Sequence, residues 1–315
     1  MVGARWAERN CDATLPRIAG ACNTETPSAG PKCCHTTRCR AMPDFMEVAG
    51  ESRATILART ISCSPRMPVR LWSKKQSSRN VAVLWTGGKD SALALHEVCA
   101  KGRSVPTLVT FAPRRGTFRA HPVRVMRLQA KALGVRHRVF HLGPPYRAAY
   151  QRVFRRLLRE GITAVATGDI DRIENRTNWV RSIAAPMGLE VLMPLWHRSR
   201  TGILRRLRAL EFDVVVSYVD TTRLPEDWVG RRLDWSAAKE LETAFSSRGV
   251  DPAGENGEYH TWVLNAPLFR ARLSLERLSI ERRPKSCWLR PGRVALASKL
   301  PRQRGTKHSS GGRRK

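Results

Sequence analysis

Val81-Ala-Val-Leu-Trp85-Thr86-Gly87-Gly88-Lys89-Asp90-Ser91 runs from a short apolar stretch into a double glycine and on into Ala92-Leu-Ala-Leu-His96-Glu-Val98. The spacing reads as a buried strand, a tight turn and the first turns of a helix. In an open α/β sheet that junction is where a ligand binds. Two glycines let bare backbone N–H groups approach an anion, and the helix that follows adds the positive end of its dipole. Thr86 and Ser91 supply hydroxyls and Lys89 a positive charge, while Asp90 can cap the helix or reach a magnesium ion. The spacing is not that of a Walker loop, since G-x-x-x-x-G-K-[ST] is absent.

Outward from this loop the pattern repeats. Strands are expected near 81–85, 105–111, 136–142, 163–167, 189–193 and 213–219. Helices are expected near 90–101, 121–133, 145–160, 173–187, 199–210 and 234–247. Gly102, Gly134, Gly161 and Gly188 each fall between a helix and the next strand, where left-handed C-caps belong. Strand and helix in alternation make a doubly wound α/β domain with a parallel sheet. After Gly254 the segments 259–264, 272–280 and 286–297 alternate instead and suggest a small C-terminal β-rich annex.

The flanks differ from this core. Residues 1–78 lack periodicity and read as disordered or over-extended, with Met67 a plausible initiator; residues 302–315 read as a disordered basic tail. The working division is therefore 1–78, a nucleotide-binding domain over 79–250, a substrate-side annex over 251–301, and 302–315. Six of the eight cysteines lie in the first 63 residues. Cys33-Cys34-His35 with Cys39 lacks the paired spacing of a zinc site, and nothing implies export or disulfides.

Composition excludes more than it identifies. The 315 residues carry 57 Lys+Arg against 26 Asp+Glu, a net charge of +31. Residues 282–315 hold 12 basic residues and no acidic one. Such a surface attracts polyanions, so an RNA partner is permitted, but arginine in place of lysine also follows from codon usage alone. The longest apolar runs are far short of the roughly 20 residues of a membrane helix, so no membrane partner and a cytoplasmic location are expected.

A second motif lies far downstream: Asp251-Pro-Ala-Gly254-Glu255-Asn256-Gly257-Glu258-Tyr259-His260-Thr261. The first loop resembles the S-G-G-x-D-S motif of the ATP pyrophosphatase (PP-loop) superfamily, with Thr86 keeping the hydroxyl of the usual serine. Together the two motifs resemble the diphthine–ammonia ligase family, in which G-E-x-G-E-[YF]-x-T stands at this place, and its short bacterial relatives in particular. Gly168-Asp169-Ile170, Pro194-Leu195-Trp196, Val219-Asp220-Thr221 and Asn265-Ala-Pro-Leu-Phe269 agree with it as well. The resemblance covers about 79 to 300.

It implies a five-stranded parallel sheet of the nucleotide α-hydrolase type. It also implies an ATP-dependent reaction in which a carboxylate is adenylated, pyrophosphate leaves, and ammonia displaces AMP to form an amide. Carried over position by position, Thr86, Gly87, Gly88, Lys89, Asp90 and Ser91 hold the phosphates, with magnesium at Asp90. Gly168 and Asp169 border the nucleotide pocket. Gly254, Glu255, Asn256, Gly257, Glu258, Tyr259 and Thr261 fall on the substrate side, with Lys89, Asp90, Glu255 and Glu258 as catalytic candidates. The two glutamates, three apart around a glycine, face one cleft if the loop turns at Gly257. There they bind ammonium, take its proton or ligate magnesium; the other reading is that they brace the loop. His121 either lies at a substrate position or packs, His96 reads as a helix-surface or packing residue, and His260 is assigned no role. The carboxylate acceptor is diphthine on elongation factor 2 only where the source has it. Two alternatives remain: a tRNA-modifying PP-loop pyrophosphatase, for which a core cysteine pair is missing, and a nucleotide-binding protein without turnover.

Overall fold

The computed structural model describes residues 80–115, 118–171 and 178–299. The expectations for 1–78 and 302–315, including the Cys33–Cys39 cluster, lie outside the described residues.

Five strands alternate with helices: β1 (Asn80–Leu84), α1 (Lys89–Ala100), β2 (Ser104–Pro113), α2 (Val123–Leu133), β3 (Arg136–Leu142), α3 (Tyr146–Arg159), β4 (Ala164–Ala166), α4 (Trp179–Ala184) and β5 (Glu190–Leu192). They form one parallel sheet in the order β3-β2-β1-β4-β5. The order reverses direction at β1, so the carboxyl ends of β1 and β4 flank the crevice in which such sheets bind ligands. Gly102, Gly134, Gly161 and Gly188 close their helices with φ of 72°, 69°, 81° and 82°.

The sixth strand does not extend this sheet. After α5 (Arg200–Ala209), β6 (Asp213–Asp220) joins β7 (Tyr259–Asn265), β8 (Ala271–Arg283) and β9 (Ser286–Ser298) in an antiparallel sheet ordered β7-β6-β9-β8. Helix α6 (Trp235–Arg248) intervenes between β6 and β7. This sheet therefore starts within the 79–250 stretch expected to carry the nucleotide domain. A buried strand reads the same in either sheet; its partners decide, and those of β6 are β7 and β9.

The parallel sheet is packed on both faces, as its apolar strands require. On one side Val81, Val83 and Trp85 share a continuous core with α1, α2 and the second sheet's Val216, Trp262 and Val263. On the other, Ala82 and Val109 meet Tyr150, Phe154 and Leu157 of α3 and Ile183 of α4. Because the first core is common to both sheets, the loop after β1 is held from two directions.

Candidate active site

The turn after β1 is built by short-range bonds. Thr86 Oγ1 donates to Ser91 Oγ at 3.2 Å, and Ser91 Oγ lies 3.1 Å from the Gly88 carbonyl. Gly88 is the N-cap of α1 and supplies no side-chain cap to the N–H groups at the start of the helix. Asp90 stands in the first helical turn.

From behind, the second sheet grips this turn. The Lys89 N–H donates to Thr261 Oγ1 at 3.0 Å, and the Val263 N–H to the Gly87 carbonyl at 3.0 Å. Gln129 of α2, fully buried, donates from Nε2 to both the Gly87 and Val263 carbonyls at 2.8 Å. No sequence motif marks Gln129; a polar residue on the apolar face of α2 is the one available signal.

Opposite the turn, Thr167, Gly168 and Asp169 follow β4. Gly168 is there because nothing larger fits: a Cβ would stand 2.6 Å from the carbonyl carbon of Asp90 and 2.8 Å from the Ser91 nitrogen. Asp169 is oriented by Asn178, whose Nδ2 donates to Oδ2 at 2.5 Å.

Between these walls lies a cleft of about 800 Å³, the space open to solvent included. Its polar lining is Thr86, Asp90, Ser91, Thr167, Gly168, Asp169 and Glu255. Its aromatic lining is Phe111, Phe118, Tyr150 and Trp179. Phe111 and Tyr150 pack with ring centroids 4.2 Å apart, and the Trp179 Nε1 is buried with no hydrogen-bond partner among the described residues.

The two glutamates of the second motif part company. Glu255 lines the cleft, and burial followed by the neighbouring Asp90 charge pushes its carboxyl up to about 8. Glu258 is fully buried and braces the loop: its two carboxylate oxygens accept the N–H groups of Asp251 and Asn256, each at 3.0 Å. Tyr259 is also turned inward, its hydroxyl donating to the Pro252 carbonyl at 2.6 Å. Gly254, at φ 71°, leaves no room for a Cβ, which would meet the Tyr259 carbonyl oxygen at 2.9 Å. Gly257 (φ 87°) makes the turn that sends Glu255 and Glu258 apart, with the Asn256 N–H taken by Glu258. Thr261, as above, holds the phosphate turn.

Lys89 is buried and bridges the two motifs. Its Nζ donates to Asp90 at 2.8 Å and to the Ala253 carbonyl at 2.5 Å, 5.4 Å from the Tyr259 ring centroid. Burial raises the Asp90 carboxyl above its ordinary range, with Lys89 opposing. Arg200 completes the surround, its Nε 3.0 Å from Asp251. Neither Arg200 nor Asp251 was assigned a role from spacing, because their partner lies 51 residues away.

His121 is buried beside the turn, its Cε1 3.6 Å from where a Gly88 Cβ would stand, and its ring packs 5.0 Å from that of His260. It does not line the cleft. His96 packs edge-on against Phe212 at 6.3 Å. Cys99 and Cys287 are free thiols.

A parallel sheet with its crevice at the strand reversal, a glycine turn opening a helix, and carboxylates on facing walls define a nucleotide-binding α/β protein of the PP-loop type. Comparison with known proteins is more specific. Residues 79–191 match the family described as diphthamide synthase N-terminal domain, and residues 200–290 the diphthamide synthase C-terminal domain. The chain belongs to this family. Among curated relatives, the diphthine–ammonia ligase of Bos taurus is 23% identical over 222 residues, covering 62% of this chain and 82% of the relative. That of Schizosaccharomyces pombe is 26% identical over 216 residues, covering 61% of this chain and 35% of the relative. A solved structure described as a predicted subunit of tRNA methyltransferase from Methanocaldococcus jannaschii aligns over 59% of this chain and 97% of its own, at 20% identity and a TM-score of 0.35.

Proposed function

We propose that this chain is an ATP-dependent, AMP-forming ligase that makes a carbon–nitrogen bond, as the name of its curated relatives implies. One observation carries the reading: Glu255 of the downstream motif lines the same cleft as Thr86, Asp90 and Ser91 of the glycine turn. A site that only stored a nucleotide has no need of a carboxyl group poised near neutrality beside the phosphates.

In this reading ATP lies with its base against the aromatic side chains of the cleft and its phosphates on the turn. A carboxylate oxygen of the acceptor attacks the α-phosphorus; the bond to the bridging oxygen breaks and pyrophosphate leaves with that electron pair. The N-terminal N–H groups of α1 and the Thr86 and Ser91 hydroxyls stabilise the departing charge, an electrostatic contribution that is often the largest in such reactions. Lys89 adds its charge from behind while fixing Asp90 and the Ala253 carbonyl. Ammonia then attacks the acyl carbon and AMP leaves. Glu255, in its carboxylate form, takes the proton shed by the ammonia nitrogen as the amide forms.

Magnesium suits the donor set in one way. Among the described residues no group of three His, Cys, Asp or Glu is arranged to hold an ion. Magnesium bound alongside phosphates needs only one or two carboxylates, and Asp90 and Asp169 line the cleft. They would hold the ion, which when bound offsets phosphate charge. The acceptor is a carboxylate, with diphthine on a protein the first to test. No helix among the described residues is long and apolar enough to cross a membrane, and a cytoplasmic location accords with both substrates.

The test is product analysis on the full chain with ATP, magnesium, ammonium and a panel of carboxylates including diphthine-bearing protein. AMP and pyrophosphate, lost in Lys89→Ala, support the ligase. ADP and phosphate, or ATP bound and unchanged, would replace it with another phosphotransfer or with binding alone.

A further inference from the structure

The outer face of α3 carries a strip of arginine with no counter-charge. Ala149, Tyr150, Val153, Phe154 and Leu157 are the buried residues of this helix. At 100° per residue, Arg152, Arg155 and Arg159 fall within about 60° of one another on the side away from that core. All three are exposed, and none has a carboxylate within ion-pair distance among the described residues. Glu160, the sole acidic residue between His141 and Gly168, is held by Arg138 and Arg156. Like charges three and four apart on a helix repel one another, so this strip costs the helix stability. At several other positions arginine does meet a carboxylate: Arg103 meets Glu190, Arg206 meets Glu97, and Arg231 meets Glu240.

We propose that this strip docks the phosphate backbone of a nucleic acid. The three guanidinium groups span about 10 Å at 1.5 Å per residue, room for roughly three successive phosphates of one strand. A protein interface has an apolar core within a polar rim. The exposed residues of α3 include no large apolar side chain, and Trp235, Phe245 and Leu278, the exposed large hydrophobic residues, lie on other elements. Phosphate contacts need no such core, and they fix position without reading sequence. The same helix lends Tyr150 to the cleft from its other side, so a docked strand lies one helix thickness from the nucleotide.

The measurement is fluorescence anisotropy of a labelled 20-nucleotide single-stranded RNA with the full chain, without ATP, between 50 and 200 mM salt. Arg152→Glu/Arg155→Glu/Arg159→Glu is compared with Lys101→Glu/Arg115→Glu/Arg248→Glu, which removes the same charge from exposed positions elsewhere. The α3 variant should bind at least tenfold more weakly, and its log–log salt slope should fall by about 2, since each phosphate contact on a single strand contributes about 0.7. The control should lose less than threefold. The corresponding triple glutamine variant, which keeps helix propensity and relieves the repulsion, should also lose affinity at a melting temperature no lower than that of the wild type. Equal losses in both glutamate variants would overturn the proposal, as would absence of salt-dependent binding in the wild type. So would polyglutamate competing as well as unlabelled RNA at equal charge. Because no nucleotide turnover is measured, the outcome is independent of the ligase reading.

Discussion

The main-chain N–H of Lys89 donates to Oγ1 of Thr261 across 3.0 Å, joining the phosphate turn to a strand of the other sheet 172 residues further along. Both partners are buried. The two sequence motifs are thus mechanically one object, and the turn's shape depends on β7. Thr261→Val keeps the volume and removes the acceptor, leaving a buried N–H unpaired at a cost of about 1–3 kcal/mol. Urea unfolding should show that loss, ATP affinity should fall with it, and Thr261→Ser should restore both. Wild-type ATP affinity in the valine variant would mean that β7 does not shape the turn.

Gly168 approaches the turn from the opposite wall. A methyl group there would lie 2.6 Å from backbone carbon of Asp90, which cannot rotate away as a side chain could. Gly168→Ala should therefore displace the start of α1 and weaken ATP binding more than tenfold by calorimetry. Gly143→Ala is the control: its methyl meets only the Arg114 side chain at 3.6 Å, and binding should be unchanged.

Glu255 and Glu258 separate function from support. Glu258→Gln replaces a carboxylate oxygen with an amide N–H that faces a backbone N–H, losing a charge-assisted bond of about 1.5–3 kcal/mol and lowering the melting temperature. Glu255→Gln should leave the fold intact and reduce amide formation by two orders of magnitude or more, the usual scale of acid–base catalysis. It should also change the pH dependence of stability. The Glu255 carboxyl titrates at about 8 in the folded chain against 4.5 for the free group, so the fold keeps a proton that the unfolded chain releases. Wild-type stability accordingly falls as pH rises from 4.5 to 8 and levels off above it. Urea midpoints of the metal-free protein at pH 5, 6.5 and 8 should show Glu255→Gln gaining on the wild type throughout that window. Parallel curves would mean that the fold does not hold the proton on Glu255.

What the sequence made legible is local geometry. Thr86 to Ser91 form a turn because glycine, hydroxyl and helix N-terminus act within six residues, and Gly102, Gly134, Gly161 and Gly188 mark helix ends for the same kind of reason. Pairing over distance was not legible. Val214, Val215 and Val216 suit a parallel or an antiparallel sheet, and Trp262 and Thr261 across from them decide it. Spacing three apart brings Glu255 and Glu258 to one loop without saying which turns inward. Gln129 holds the site through two long-range bonds and the Phe111–Tyr150 contact joins strand to helix across the sheet, neither with a local signature; Asn178 reads as the cap of α4 without disclosing its bond to Asp169.

His121 supplies the acid limb of the stability curve. Burial between Phe118 and His260 lowers its imidazole to about 4, against 6.5 for the free group, and His137, behind Thr110, is lowered to about 4 as well. A depressed histidine binds its proton in the unfolded chain first, so stability present above pH 6.5 is lost as pH falls from 6.5 toward 4. His121→Phe keeps an aromatic ring against Phe118 and removes the titration. Its acid-unfolding midpoint should move to lower pH than that of the wild type, and its urea midpoint at pH 7.5 should stay within the range of a conservative core exchange. His137→Phe gives the second shift, and the two should add, since the two rings have different neighbours, Thr110 for His137 and Phe118 and His260 for His121. A midpoint that stays fixed in both variants would show that these imidazoles reach water before the chain unfolds.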